Sequence, residues 1–205
     1  NLEAAQNAFE IAIRQRFHNI YARINLGRVF ALKGDRESAA EQLIIAIKIN
    51  PDFWQPYANL GTIYAESGHY PEAENFLLKA NELQPNSGDI LFRIGDMYSR
   101  MYQHKNAIKY LEQSIEKSPN NTRALNLIGI EYELSGFRDK AIHLLEKSTS
   151  IDSGNYETLN NLGVLYQKSG QLKKATQAFK NSLKINPQFK EALNNLAIVQ
   201  KLSTP

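Results

Sequence analysis

Four histidines, His18, His69, His104 and His143, are the side chains in this 205-residue sequence best suited to acid–base or metal chemistry. Such chemistry needs them close together or beside carboxylates. They share no i, i+4 spacing and no carboxylate partner at ligand spacing, so they read as surface histidines. Asp89 and Asp96 fall on one helix face, but Arg93 lies between them and Arg100 beyond, the spacing of an exposed ion-pair lattice. A phosphate-binding loop needs clustered glycines, and here they are spread far apart. Neither Gly-x-Ser-x-Gly nor His-Glu-x-x-His occurs, and the absence of cysteine removes thiolate nucleophiles, thiolate metal sites and disulfides. The expectation is a chain without an active site, metal or cofactor, whose function is carried by a surface.

The elements that would form such a surface repeat with a fixed period. Gly27, Gly61, Gly95, Gly129 and Gly163 stand 34 residues apart, and Ala197 holds the next slot. Before them come Leu26, Leu60, Ile94, Ile128 and Leu162. Three residues after them come Phe30, Tyr64, Tyr98, Tyr132 and Tyr166, and twelve after them Ala39, Ala73, Ala107, Ala141 and Ala175. Pro51, Pro85, Pro119 and Pro187 fall near the ends of the units, with Ser153 the exception. These residues resemble the tetratricopeptide repeat family, a 34-residue helix–turn–helix unit. The resemblance implies an all-α, right-handed superhelical solenoid of antiparallel helix pairs. With the glycine at position 8, five full repeats run 20–53, 54–87, 88–121, 122–155 and 156–189. A half repeat flanks them at each end, 1–19 and 190–205, and the whole chain reads as a single array.

In each first helix, positions 4, 7, 8 and 11 form one stripe, as Leu125, Ile128, Gly129 and Tyr132 do in the fourth repeat. The second helix carries positions 20, 24 and 27, here Ala141, Leu145 and Ser148. A mid-helix glycine costs about 1 kcal/mol against alanine, so its recurrence points to close approach of the paired helix. Gly34, Gly68, Gly136 and Gly170 suit the turns between paired helices, and Tyr102 in their slot predicts a strained or altered turn. Asn, Asp and Ser residues around the prolines are suited to cap the following first helices. The terminal halves look like ordinary internal helices, the expectation for a segment cut from a longer array.

If the stripe faces the paired helix, positions 2, 6, 9 and 13 face away, with 5 and 12 beside them. In the family that this chain resembles, first helices line the concave wall, so these positions are the expected groove for a protein or peptide partner. Its candidate residues are Asn25, Arg28, Asn59, Arg93, Asp96, Arg123, Asn126, Leu127, Ile130, Leu134, Asn160, Asn161, Val164, Lys168, Asn194, Asn195 and Ile198. Leu127, Ile130, Leu134, Val164 and Ile198 are apolar where solvent is expected, which marks either a binding strip or packing between adjacent first helices. The recurring asparagines are similar to the asparagine ladder of O-GlcNAc transferases and peroxisomal import receptors, interrupted at Arg93 and Leu127. An amide both donates and accepts and so suits a peptide backbone.

The leading expectation is a non-enzymatic interaction scaffold. Its rivals are the substrate-recognition arm of a larger glycosyltransferase and a self-assembling scaffold. A net charge of +3 is too mild to demand nucleic acid. No apolar run is long enough to span a bilayer and no signal peptide opens the sequence. The compartment stays open, with the cytoplasm favoured.

Overall fold

The structure, a computed structural model, describes residues 1–203. The last two residues of the expected 190–205 half repeat lie outside the described residues. Among the described residues there are twelve helices and no strand. They are α1 (Leu2–Gln15), α2 (Ile20–Leu32), α3 (Arg36–Ile49), α4 (Trp54–Glu66), α5 (Tyr70–Leu83) and α6 (Gly88–Arg100). There follow α7 (His104–Lys117), α8 (Thr122–Leu134), α9 (Arg138–Ile151), α10 (Tyr156–Lys168), α11 (Leu172–Ile185) and α12 (Lys190–Ser203). Even-numbered helices are the first helices of the repeats and odd-numbered ones the second, consistent with five repeats and a half at each end. The chain divides into two compact units, one from Asn1 to Tyr102 and the other from Gln103 onward.

In the N-terminal unit, α2 packs on α3 and α4 on α5, while α1 leans on α2 and α6 on α5. In the C-terminal unit, α8 packs on α9 and α10 on α11, with α7 against α8 and α12 against α11. Close approach within a pair is what the glycines permit. A Cβ built on Gly61 would sit 2.5 Å from Leu77 Cγ, and one on Gly163 2.5 Å from Phe179 Cε1. Leu77 and Phe179 are fully buried, so neither has room to yield.

The stripe positions are buried or half-buried in α2 to α10 and open in α12, where Leu193 and Ala197 are exposed, and positions 3 and 10 of the first helix join the buried set. Position 3 contributes Ala22, Ile90, Ala124 and Ala192, and position 10 contributes Val29, Ile63, Met97, Leu165 and Val199. Ile63 packs against Leu43 and Ala46 of the preceding pair, a contact that a helix-pair stripe alone does not cover.

The turns follow from the backbone. α4 ends with the Gly68 N–H on the Ala65 carbonyl at 3.1 Å and the His69 N–H on the Tyr64 carbonyl at 2.9 Å. That closure requires a left-handed residue, and Gly68 supplies φ +79°. Tyr102 takes the same left-handed conformation at φ +58° without glycine's freedom, which is the strain that the sequence anticipated.

Asn19, Ser87, Asn121 and Asn155 cap α2, α6, α8 and α10, each accepting from the backbone N–H three residues on. The expectation fails at α4, whose N-cap is Phe53 with no side-chain bond. The reason is the side chain itself: a phenyl ring has no oxygen to accept, and Pro56, three residues on, has no N–H to donate.

Candidate functional site

The open side of the first helices carries a notch at the same register in each unit. Position 8 is glycine, so position 24 of the paired helix reaches through to form the floor. Positions 9, 12 and 13 of that first helix and positions 6, 9, 10 and 13 of the next one form the walls.

In the C-terminal unit these are Gly129, Ile130, Glu133, Leu134 and Leu145 with Asn161, Val164, Leu165 and Lys168, around a cavity of about 140 Å³. Ile130 and Val164 are half-buried, whereas Leu134 is 61% exposed. Ile198 on α12 is 48% exposed, and Leu127 is half-buried outside the lining. The apolar strip therefore packs in part between α8 and α10 and leaves the remainder open. At its rim the mostly buried Glu133 accepts from Arg138 Nε and Nη2, both at 3.0 Å, and from Lys168 Nζ at 2.9 Å. Burial works to raise the Glu133 pKa, and the hydrogen bonds from Arg138 and Lys168 outweigh it and hold the carboxyl below its ordinary value.

In the N-terminal unit the same positions are Gly27, Arg28, Ala31, Leu32 and Leu43 with Asn59, Thr62, Ile63 and Glu66, joined by Arg93, around about 230 Å³. This notch is polar. Arg93 donates to Asp89 Oδ2 and to Thr62 Oγ1, both at 2.8 Å, and lies 3.4 Å from Asn59 Oδ1. It thus ties α6 to α4. Arg100 pairs with Asp96 at 2.8 Å, as the ion-pair reading expects.

The asparagines divide. Asn25, Asn59, Asn161 and Asn195 are half-buried, and Asn194 is exposed. Asn160 is only 7% exposed, and its amide oxygen accepts from Asn195 Nδ2 at 3.0 Å, linking α10 to α12. As a residue open to a ligand, Asn160 is therefore corrected: in this repeat position 5 turns inward, as Ile24 and Ala58 do in the first and second repeats. Asn126 shares that position, and its Oδ1 is buried with no hydrogen-bond partner among the described residues. Arg123 is exposed in the first turn of α8.

The reading of His104 as a plain surface histidine is also corrected. Its Nδ1 lies 2.7 Å from Oε2 of Glu131, whose side chain is 2% exposed. Glu131 is the one carboxylate at position 10, where the other first helices carry apolar side chains, and that anomaly was available in the sequence. Three tyrosines at position 11 anchor adjacent helices: Tyr98 donates to Glu74, Tyr132 to Glu112 and Tyr166 to Glu146. Among the described residues no group of three or more His, Cys, Asp or Glu is placed to hold a metal ion, and no helix is long and apolar enough to cross a membrane.

Paired helices in a fixed register, opening a notch between successive first helices, define an all-α helical-repeat protein. Tetratricopeptide repeat profiles match residues 46–75, 88–121 and 156–189. The chain is a tetratricopeptide repeat protein, and the repeats support a broad role as a protein-interaction scaffold.

Solved structures agree on the fold. A chain of the APC/C hetero-tetramer Cut9-Hcn1 superposes with TM-score 0.86 at 17% identity over 97% of this chain. This chain spans only 39% of that one. Pseudomonas aeruginosa pilF gives TM-score 0.82 at 17% identity, covering 98% of this chain and 85% of its own. YrrB, described as a TPR protein with an unusual peptide-binding site, gives 0.67 at 24% identity, covering 91% and 96%. A comparison with curated proteins finds no match.

Proposed function

We propose that this protein is an interaction scaffold that takes a peptide segment of a partner against the open side of its first helices. The observation that carries this reading is the notch between α8 and α10. Ile130, Leu134 and Val164 leave aliphatic surface around an open cavity of about 140 Å³, and exposed contiguous apolar surface commonly marks an interaction site. Asn161 lines it with an amide suited to a peptide backbone. The polar notch lined by Arg28, Asn59 and Thr62 offers a second, chemically different contact in the N-terminal unit. The published description of YrrB as having a peptide-binding site supports the reading by analogy. Arg93 and Asn160 act in this account by positioning α4, α6, α10 and α12 rather than by touching the peptide.

The test is Ile130→Asp, which places a charge in the middle of the strip. Peptides selected from a random display library on the wild-type protein are titrated by fluorescence anisotropy. Loss of an anchor that is a hot spot weakens binding by about 2 kcal/mol or more, roughly thirtyfold. Unchanged affinity in a variant with intact circular dichroism would reject the groove.

A further inference from the structure

We infer that the notch between α8 and α10 selects peptides in which one aliphatic residue has an acidic neighbour. The inference rests on the peptide-binding reading above and adds the chemistry of the partner. The cavity of about 140 Å³ between Ile130 and Val164, over the Leu145 floor, has room for about one branched aliphatic side chain. An apolar side chain there meets Leu134 and Leu165 rather than a polar group that would go unpaired.

Charge then sets what lies next to it. Glu133 is the single carboxylate in the lining, and it is mostly buried. Two cations share it, Arg138 and Lys168, and both remain about half exposed. Lys168 lines the cavity and stays half exposed while its carboxylate partner Glu133 is mostly buried, which puts an accessible cation at the lip of an apolar cavity. A peptide carboxylate docked there gains attraction to Lys168 without disturbing Glu133, whereas a peptide lysine meets a like charge. The adjacent carboxylate, Asp139, also attracts Arg138, so Arg138 is shared between two carboxylates and Lys168 is the cation on which the inference rests. The equivalent notch in the N-terminal unit is polar rather than aliphatic, its lining carrying Arg28 and Arg93 with Glu66.

The experiment pans a random dodecamer display library on the intact protein. The best peptide and its acid-to-amide analogue are then titrated on wild type, Ile130→Asp and Lys168→Glu. Circular dichroism and thermal unfolding check each fold. The inference predicts enrichment of an acid within about two residues of an aliphatic. The amide analogue should bind about fivefold more weakly to wild type, and the difference should vanish on Lys168→Glu. Binders that need Ile130 but show no acid preference would overturn this inference and leave the groove standing. Binders indifferent to Ile130→Asp, or no enrichment at all, would overturn both.

Discussion

Tyr132 reports how single side chains fix one helix pair against the next. Burial pushes its pKa up to about 12, and the hydrogen bond to Glu112 adds to the effect. The folded chain thus holds this proton more tightly than an unfolded chain, whose phenol titrates near ~10. The stability tied to it is fully present below about pH 10 and is lost as pH rises through about 12. Tyr132→Phe should flatten the alkaline decline of thermal stability across that window, while lowering stability by about 1 kcal/mol at neutral pH. An unchanged alkaline profile would show that the phenol is not coupled to folding. Glu133 runs the opposite way: its lowered pKa gives stability present above the ordinary glutamate range and lost as pH falls below it. Neither partner was legible as such in the sequence. A carboxylate 20 residues before a tyrosine is unremarkable until two helix pairs stack.

At the scale of elements, most of the fold could be read in advance, because each repeat states the same instruction again. Observed helices begin within one residue of the register, and the glycines mark where paired helices touch. Gly61→Leu should therefore lower stability by roughly 1–3 kcal/mol through overpacking against Leu77. A chemical-denaturation midpoint equal to wild type would contradict that contact. Tyr102 gives the reverse prediction. Its φ of +58° is a conformation that glycine adopts without strain, so Tyr102→Gly should stabilise by about 1 kcal/mol despite its looser unfolded state. The missing cap of α4 was not foreseen, because the cap position falls on Phe53 rather than on the Asn50 or Asp52 beside Pro51. Nor were positions 3 and 10: their burial depends on the neighbouring pair, which no single helix's periodicity contains. Glu131 in an apolar slot was the visible sign.

For the whole molecule, a net charge of +3 leaves little long-range field to recruit a partner. Recognition then falls to local chemistry, and the two units differ in it: one notch is polar around Arg28 and Thr62, the other aliphatic around Ile130 and Val164. The sequence showed which residues share the open side, but not that Asn160 turns inward or that Arg93 is engaged by its own neighbours. Those outcomes depend on distances between successive first helices. The most direct test of the account is to map backbone amide chemical shifts while titrating a library-selected peptide into the labelled protein. The account predicts that the largest changes fall on α8 and α10 around Ile130, Val164 and Lys168. Changes confined to α9 and α11, around the cavity of about 650 Å³ lined by Glu146, Asn181 and Lys184, would contradict it and place recognition on the second helices.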